Sequence, residues 1–177
     1  MKIVAIDDAG EPQLAPDLLW DGRAGDLAVT AIDDPANPSG LRAEQHIATA
    51  VLICLMTDRR VDPGELPDGE ANRGWPGDSF DMEPGDVPLG SKLWLLRRRA
   101  LTADTALAAE DHAREALQTL IDQGAFVRFD VTAAARPDAN RIDIDIAGYG
   151  RSGERTFDRR FAILWDQLHG VSKPLAR

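Results

Sequence analysis

The chain has 177 residues, of which 44% are hydrophobic and 28% charged, and carries a net charge of −10. That is enough for one domain with a real core and is ordinary for a soluble globular protein. The acidity argues against a nucleic-acid partner, since phosphate binding needs clustered Lys and Arg. No apolar run approaches the roughly eighteen residues of a membrane span.

Met1 to Ile6 reads as a short strand ended by Asp7-Asp8-Ala9-Gly10, with too few apolar residues after Lys2 for a secretory leader. The stretch from Leu18 through Trp20, Gly22 and Gly25 to Val29 reads as extended pieces around a turn. Asp33-Asp34-Pro35-Ala36-Asn37-Pro38-Ser39-Gly40 is a loop. Residues 41–57 read as a helix, with Leu41, Ile47, Ala48, Val51, Leu52 and Leu55 on one broad face. Ile53, Cys54 and Met56 widen the apolar surface, so its end should be nearly fully buried. Cys54 is the one cysteine, which excludes an internal disulfide and reads as a small buried hydrophobe. This fits a cytoplasmic place of synthesis.

Residues 58–90 are rich in Gly, Pro and acid, with Trp75, Phe80 and Met82 scattered through them. A structureless loop of this length is unusual inside a domain. The expectation is a segment pinned by its aromatics onto the body or onto a partner. Residues 91–99 read as a short helix burying Leu93, Trp94 and Leu96, with Arg97, Arg98 and Arg99 at its end. Thr102 should cap a longer helix to Gln123, with Asp104 in its first turn, Ala113, Ala116, Leu117, Leu120 and Ile121 on its apolar stripe, and Gly124 ending it.

Three alternating segments follow. Val127, Phe129 and Val131, then Ile142, Ile144 and Ile146, then Phe157, Phe161, Ile163 and Trp165 hold one parity against polar residues. Turn clusters at residues 136–140 and 150–153 separate them. An antiparallel three-strand meander follows, with one apolar face that the helices cover. The fold class is α+β. The whole chain, 1–177, reads as a single domain: a helical core over 40–130 containing the 58–90 loop, and the meander over 125–167.

The carboxylate pairs Asp7-Asp8, Asp33-Asp34 and Asp143-x-Asp145 invite acid/base or hard-metal chemistry. Asp143 and Asp145 lie on the polar parity of a strand, which a solvated face explains, and the other pairs sit beside turn residues. His46, His112 and His169 are far apart, without the spacing of a zinc site. No P-loop, dinucleotide fingerprint or nucleophile elbow occurs. No catalytic residue, cofactor or metal is therefore assigned, and the protein is read as a non-enzyme. Thr57-Asp58-Arg59-Arg60 is the most informative polar cluster. Its two arginines complement a helix C-terminus and offer guanidinium forks to the loop or to a partner carboxylate.

The run from Thr49 to Pro63, Arg73-Gly74-Trp75-Pro76-Gly77-Asp78, and Gly90-Ser91-Lys92-Leu93-Trp94-Leu95-Leu96, in that order, resemble the phage Mu-like baseplate wedge family known as gene product forty-six. That family is in turn similar to the sheath-initiating wedge family of T-even phages, sometimes labelled lysozyme-like. The glutamate of that family's Gly-Glu-Arg turn is absent here. The resemblance implies a structural part of a contractile tail baseplate in the virion, made in the host cytoplasm and present in six copies. It implies other wedge proteins, the tail hub or tube protein and the sheath protein as partners. It also implies strand addition at the C-terminal strand, over residues 155–165. The expected partner-binding residues are Arg59, Arg60, Arg73, Trp75, Arg155, Phe157, Arg159, Phe161, Ile163 and Trp165. The alternative is a carboxylate-dependent cell-wall hydrolase.

Overall fold

Alternating isoleucines place one strand at the centre of the molecule. In a computed structural model, which describes residues 16–42, 45–80, 82–83 and 85–164, Ile142, Ile144 and Ile146 are 0%, 0% and 1% exposed. They lie on β4 (Arg141–Tyr149), between β3 (Arg128–Arg136) and β5 (Arg155–Leu164) in an antiparallel sheet of order β3-β4-β5. The expected meander is therefore present, and the class is α+β. A turn at Pro137–Ala139 joins β3 to β4, with Asn140 in the left-handed region. A register shift at Gly148/Tyr149 interrupts the β4–β5 ladder. The initial strand expected before Asp7 lies outside the described residues.

Two helices cover the isoleucine face. α1 (His46–Met56) contributes Val51 and Leu55, and α2 (Ala103–Asp122) contributes Ala109, Ala113, Ala116, Leu117 and Leu120 to the same core. Alanines at the contact let the α2 backbone approach closely, so the small side chains are part of the packing. The Thr102 hydroxyl accepts from the Thr105 amide as the expected N-cap. Gly124, at φ 74°, ends the helix as expected. Leu93, Trp94 and Leu96 are buried as read, on a 3₁₀ turn at Leu93–Leu96 in place of a longer helix.

The first helix begins later than its apolar residues imply. Leu41 bridges Val29, the Thr30 amide donates to the Gly40 carbonyl and the Arg42 amide to the Ala28 carbonyl. Residues 40–42 are thus used as extended chain beside β1 (Leu18–Trp20) and β2 (Gly25–Leu27), which pair antiparallel. Leu41 is 49% exposed in consequence, and Ile47, in the first turn of α1, is 37% exposed. Asp17, 0% exposed, ties the hairpin to α1: its carboxylate accepts from Arg42 Nε at 2.8 Å and from the Gln45 amide at 2.6 Å. The Leu18 amide donates to the Thr49 hydroxyl in the same junction.

Asp143 corrects the solvated-face reading. It is 2% exposed. Its cross-strand neighbours are Ala134 and Ala162, whose small side chains leave room for Arg136 and Arg141 to fold over it. Arg136 Nε lies 3.4 Å and Arg141 Nε 2.8 Å from its oxygens; the shorter pair is an ion pair without the alignment of a hydrogen bond. A pair of guanidinium groups thus offsets the cost of burying the carboxylate. Asp145 stays at the surface, 2.6 Å from Arg160.

Candidate functional site

The chain leaving α1 is held in a knot built from the motifs singled out in the sequence. Gly90 lies at φ 106°, and a Cβ there would stand 2.3 Å from the Thr57 carbonyl oxygen. Only glycine permits that approach. It lets the Ser91 amide donate to Thr57 O and the Arg59 amide to Ser91 O, closing a parallel bridge between Asp58 and Ser91. The Ser91 hydroxyl reaches the Leu55 carbonyl, one of the acceptors left open at the end of α1. The Trp94 indole donates to Arg59 O at 2.9 Å. Asp58 pairs with both Arg73, at 3.1 Å, and Arg97, at 3.4 Å. Gly74 packs on the Arg60 backbone, where a Cβ would come within 2.9 Å of Arg60 Cβ.

The knot gives the two arginines different fates. Arg59 Nη1 lies 3.0 Å from Glu115 Oε1 on α2, so it ties the turn to the body. Arg60 is exposed, and among the described residues its side chain forms no ion pair or hydrogen bond. Lys92, paired with Glu65 at 2.7 Å, lies in the same cationic recess. Arg73 serves the knot: it pairs with Asp58 and stands over the Trp94 ring at 5.6 Å.

The loop that follows is held by polar links. Asn72 closes a two-way clamp, its amide donating to the Val61 carbonyl and its oxygen accepting from the Val61 amide, at 2.7 and 3.1 Å. Arg98 pairs with Glu70 at 2.7 Å, and the Leu89 amide donates to Asp78. Its aromatics do not pin it to the body, because Trp75 is 49% and Phe80 81% exposed.

The sheet has two outer edges, and they differ. On β3, Arg114 from α2 donates to the Val131 carbonyl at 3.0 Å, and Glu110 accepts from the Ala133 amide at 3.1 Å. These side chains, themselves an i,i+4 ion pair, occupy the groups that an added strand would need. On β5 the Trp20 indole donates to the Ala162 carbonyl at 2.9 Å. The Ala162 carbonyl therefore faces outward, and in extended chain its own N–H points the same way. A cleft of about 330 Å³ separates the β1–β2 hairpin from this edge.

Of the residues expected along β5, Phe157 and Ile163 are each 7% exposed and belong to the core, Phe157 edge-on to Phe126. Phe161 packs on the same core and is partly buried. Arg155 pairs with Asp158 at 2.6 Å, while Arg159 is exposed and unpaired among the described residues. Trp165 lies outside them. The strand thus offers its backbone and Arg159, and its apolar side chains face inward.

Asp143 and Asp145 are engaged by arginines of the sheet, and Asp34 is engaged locally. Asp34 accepts from the amides of Ala36 and Asn37, as in an Asx turn; Asp7-Asp8 lies outside the described residues. Among the described residues no group of three His, Cys, Asp or Glu side chains is arranged to hold a metal ion, and no helix is long and apolar enough to cross a membrane. Burial pushes the Cys54 thiol up to about 11. His112, half-buried, is held below the usual imidazole range by burial, against the opposing pull of Glu115.

Sequence reasoning missed Asp17, the Glu110–Arg114 cover of β3 and the Trp20 bond to β5. The i,i+4 spacing of Glu110 and Arg114 was visible, but nothing in it indicates that both also reach a strand edge.

Fold and site together define a small α+β protein that presents a cationic turn and one sheet edge left open by its helices. The profile of the family described as Phage protein GP46 matches residues 47–155, and this chain belongs to that family. It is similar to "Baseplate protein gp46" of Escherichia phage Mu, 39% identical over 118 residues, covering 66% of this chain and 74% of that protein. It is also similar to "Mu-like prophage FluMu protein gp46" of Haemophilus influenzae, 29% identical over 149 residues, covering 82% and 96% respectively. The knot, α2 and all of α1 but His46 lie within the matched span, which ends where β5 begins.

Proposed function

We propose that this chain is a structural subunit of a contractile phage tail baseplate, a wedge part that starts the sheath, and not an enzyme. It joins neighbours in two ways: Arg60 offers a guanidinium to a carboxylate of another wedge or hub protein, and β5 accepts a strand from the sheath side. Kinship with a protein named for the baseplate supports the setting. The observation that carries the mechanism is the asymmetry of the two edges, β3 covered along its middle by Glu110 and Arg114 and β5 covered at Ala162 by one indole. An open edge with outward donors and acceptors is the usual receptor for an added strand. Arg159 beside it contributes charge at the rim, which sets orientation more than affinity.

Ala162→Pro tests this. Proline there removes an outward N–H and spares the β4–β5 ladder. Ile163→Pro is less suitable, because Ile163 is a core residue. The variant chain should fold, and tails built with it should lack an attached sheath; normal sheathed tails would reject strand addition at β5. The purified chain should leave a peptidoglycan suspension turbid. Clearing that is lost on replacing one acidic residue would put a carboxylate-dependent hydrolase in place of this reading.

A further inference from the structure

A groove of about 540 Å³ runs between the loop and the last turn of α2, lined among others by Trp75, Asp78, Asp86, Val87, Leu89 and Asp122. We infer that it receives an arginine side chain of a partner protein, carried in an apolar segment.

The walls are apolar and accessible. Trp75 is 49% and Val87 56% exposed. The Trp75 indole lies over Gly77, where a Cβ would stand 2.1 Å from its ring nitrogen, so a side chain at 77 would drive the ring off this wall. The charged side chains that line it, Asp78, Asp86 and Asp122, are all carboxylates, and they stand beside the neutral Thr119 and Gln123. Asp78 accepts from the Leu89 amide through Oδ1, while its Oδ2 is buried with no hydrogen-bond partner among the described residues. A buried carboxylate oxygen without a donor is costly, and a donor brought to this carboxylate would offset that cost. Asp86 accepts only from the Glu83 amide, and Asp122 from the Gln118 amide group, among the described residues. Among the described residues no Lys or Arg lines the groove. None of these three carboxylates is ion-paired among the described residues, whereas Asp58, Glu65, Glu70 and Glu115 around the neighbouring knot all are.

Charge selects the occupant. A second copy of a chain with net charge −10 meets general repulsion at an acidic groove, so a more basic protein is the better fit. Arginine suits the site better than lysine. Its planar, weakly hydrated head can lie on the Trp75 face and still direct N–H groups to the carboxylates that line the groove, while its stem covers apolar wall. The flanking apolar residues of the segment would meet Val87 and Leu89.

This inference rests on the reading that the chain works inside an assembly, but the probe does not. The ¹⁵N-labelled full chain is titrated with the peptide acetyl-Leu-Arg-Leu-amide and with its citrulline counterpart, which keeps the shape and removes the charge. Saturable shifts are expected at the Trp75 indole N–H and at the Val87 and Leu89 amides. The citrulline peptide should bind about ten-fold more weakly, the loss of one charged hydrogen bond. Asp78→Asn should weaken the arginine peptide by a similar factor, and Asp122→Asn, at the helix end, provides a second variant should the first not fold. Asp33→Asn, at a residue that does not line the groove, should change nothing. Equal binding of both peptides, no saturable shift, shifts confined to β5, or binding indifferent to both groove variants would overturn the inference. Groove shifts that depend on protein concentration without peptide would overturn it in favour of a second copy. None of those results bears on strand addition at β5, which Ala162→Pro tests separately.

Discussion

Replacing Arg59 and Arg60 one at a time separates the two roles that the turn after α1 combines. Arg59 Nη1 lies 3.0 Å from Glu115 Oε1, with the side chains 18% and 43% exposed. A pair this accessible contributes about 0.2–1 kcal/mol after screening. Lys92 Nζ stays 3.8 Å from the same carboxylate, so Glu115 is not stranded when Arg59 is shortened. Arg59→Ala should therefore cost at most about 1 kcal/mol, a fall in melting temperature of about 2–4 °C for a chain of this size. Arg60 is exposed and touches no carboxylate among the described residues. Arg60→Ala should stay within about 0.5 kcal/mol of the parent, under about 2 °C. In an assembled interface the order reverses. Truncating one partner of a buried, hydrogen-bonded charge pair costs about 2 kcal/mol or more, which is roughly thirty-fold in affinity. Thermal unfolding of each purified variant, beside counts of sheathed tails from complemented cells, measures both. The reasoning fails if Arg60→Ala melts lower than Arg59→Ala, or if it yields sheathed tails at the parental level.

Gly90→Ala should be among the most damaging single changes outside the core. The residue would be held at φ 106° with its Cβ 2.3 Å from Thr57 O, and strain of about 1–3 kcal/mol comes before the clash is relieved; a loss of at least about 5 °C in a melting curve is expected. Cys54, buried and with its thiol pushed up to about 11, should resist alkylation at pH 8 in the folded chain and react once the chain is unfolded in denaturant. His112 is lowered by burial, so the unfolded chain takes up a proton first as pH falls below about 6.5. Stability should decline from there towards the lower folded value, and His112→Gln should flatten that part of a melting temperature against pH plot. Trp20→Phe removes the donor to Ala162 O at a cost of about 0.5–1.5 kcal/mol, and should speed capture of an added strand at β5, read as faster association of chain and sheath protein.

Periodicity made the sheet and the long helix legible. The isoleucines of β4, the Thr102 cap and the Gly124 stop each follow from one local rule, and tertiary contacts reinforce them. The start of α1 was less legible because Leu41 fits a helical face and a strand bridge equally well. Backbone pairing with residues 28–30 decides between them, and no local pattern encodes it. Asp143 shows a similar limit: alternation places it on the polar face, but whether water or two arginines cover that face depends on how long side chains fold back. The motifs Thr57-Asp58-Arg59-Arg60 and Gly90-Ser91 were visible as unusual strings. Their purpose, a close backbone crossing closed by Ser91 and Trp94, needs three dimensions to appear. The groove was less legible still, since Asp78 and Asp122 are far apart in the chain and ordinary in composition.

The account stands most directly on what lies along the outer edge of β5 in an assembled tail. A density map of the baseplate region, at a resolution that separates neighbouring strands, would read this from residues 155–164 alone. The account predicts a fourth strand from another chain paired with the Ala162 side of β5, while Glu110 and Arg114 still cover β3. A β5 edge facing solvent, or covered only by its own Trp20 hairpin, would contradict it.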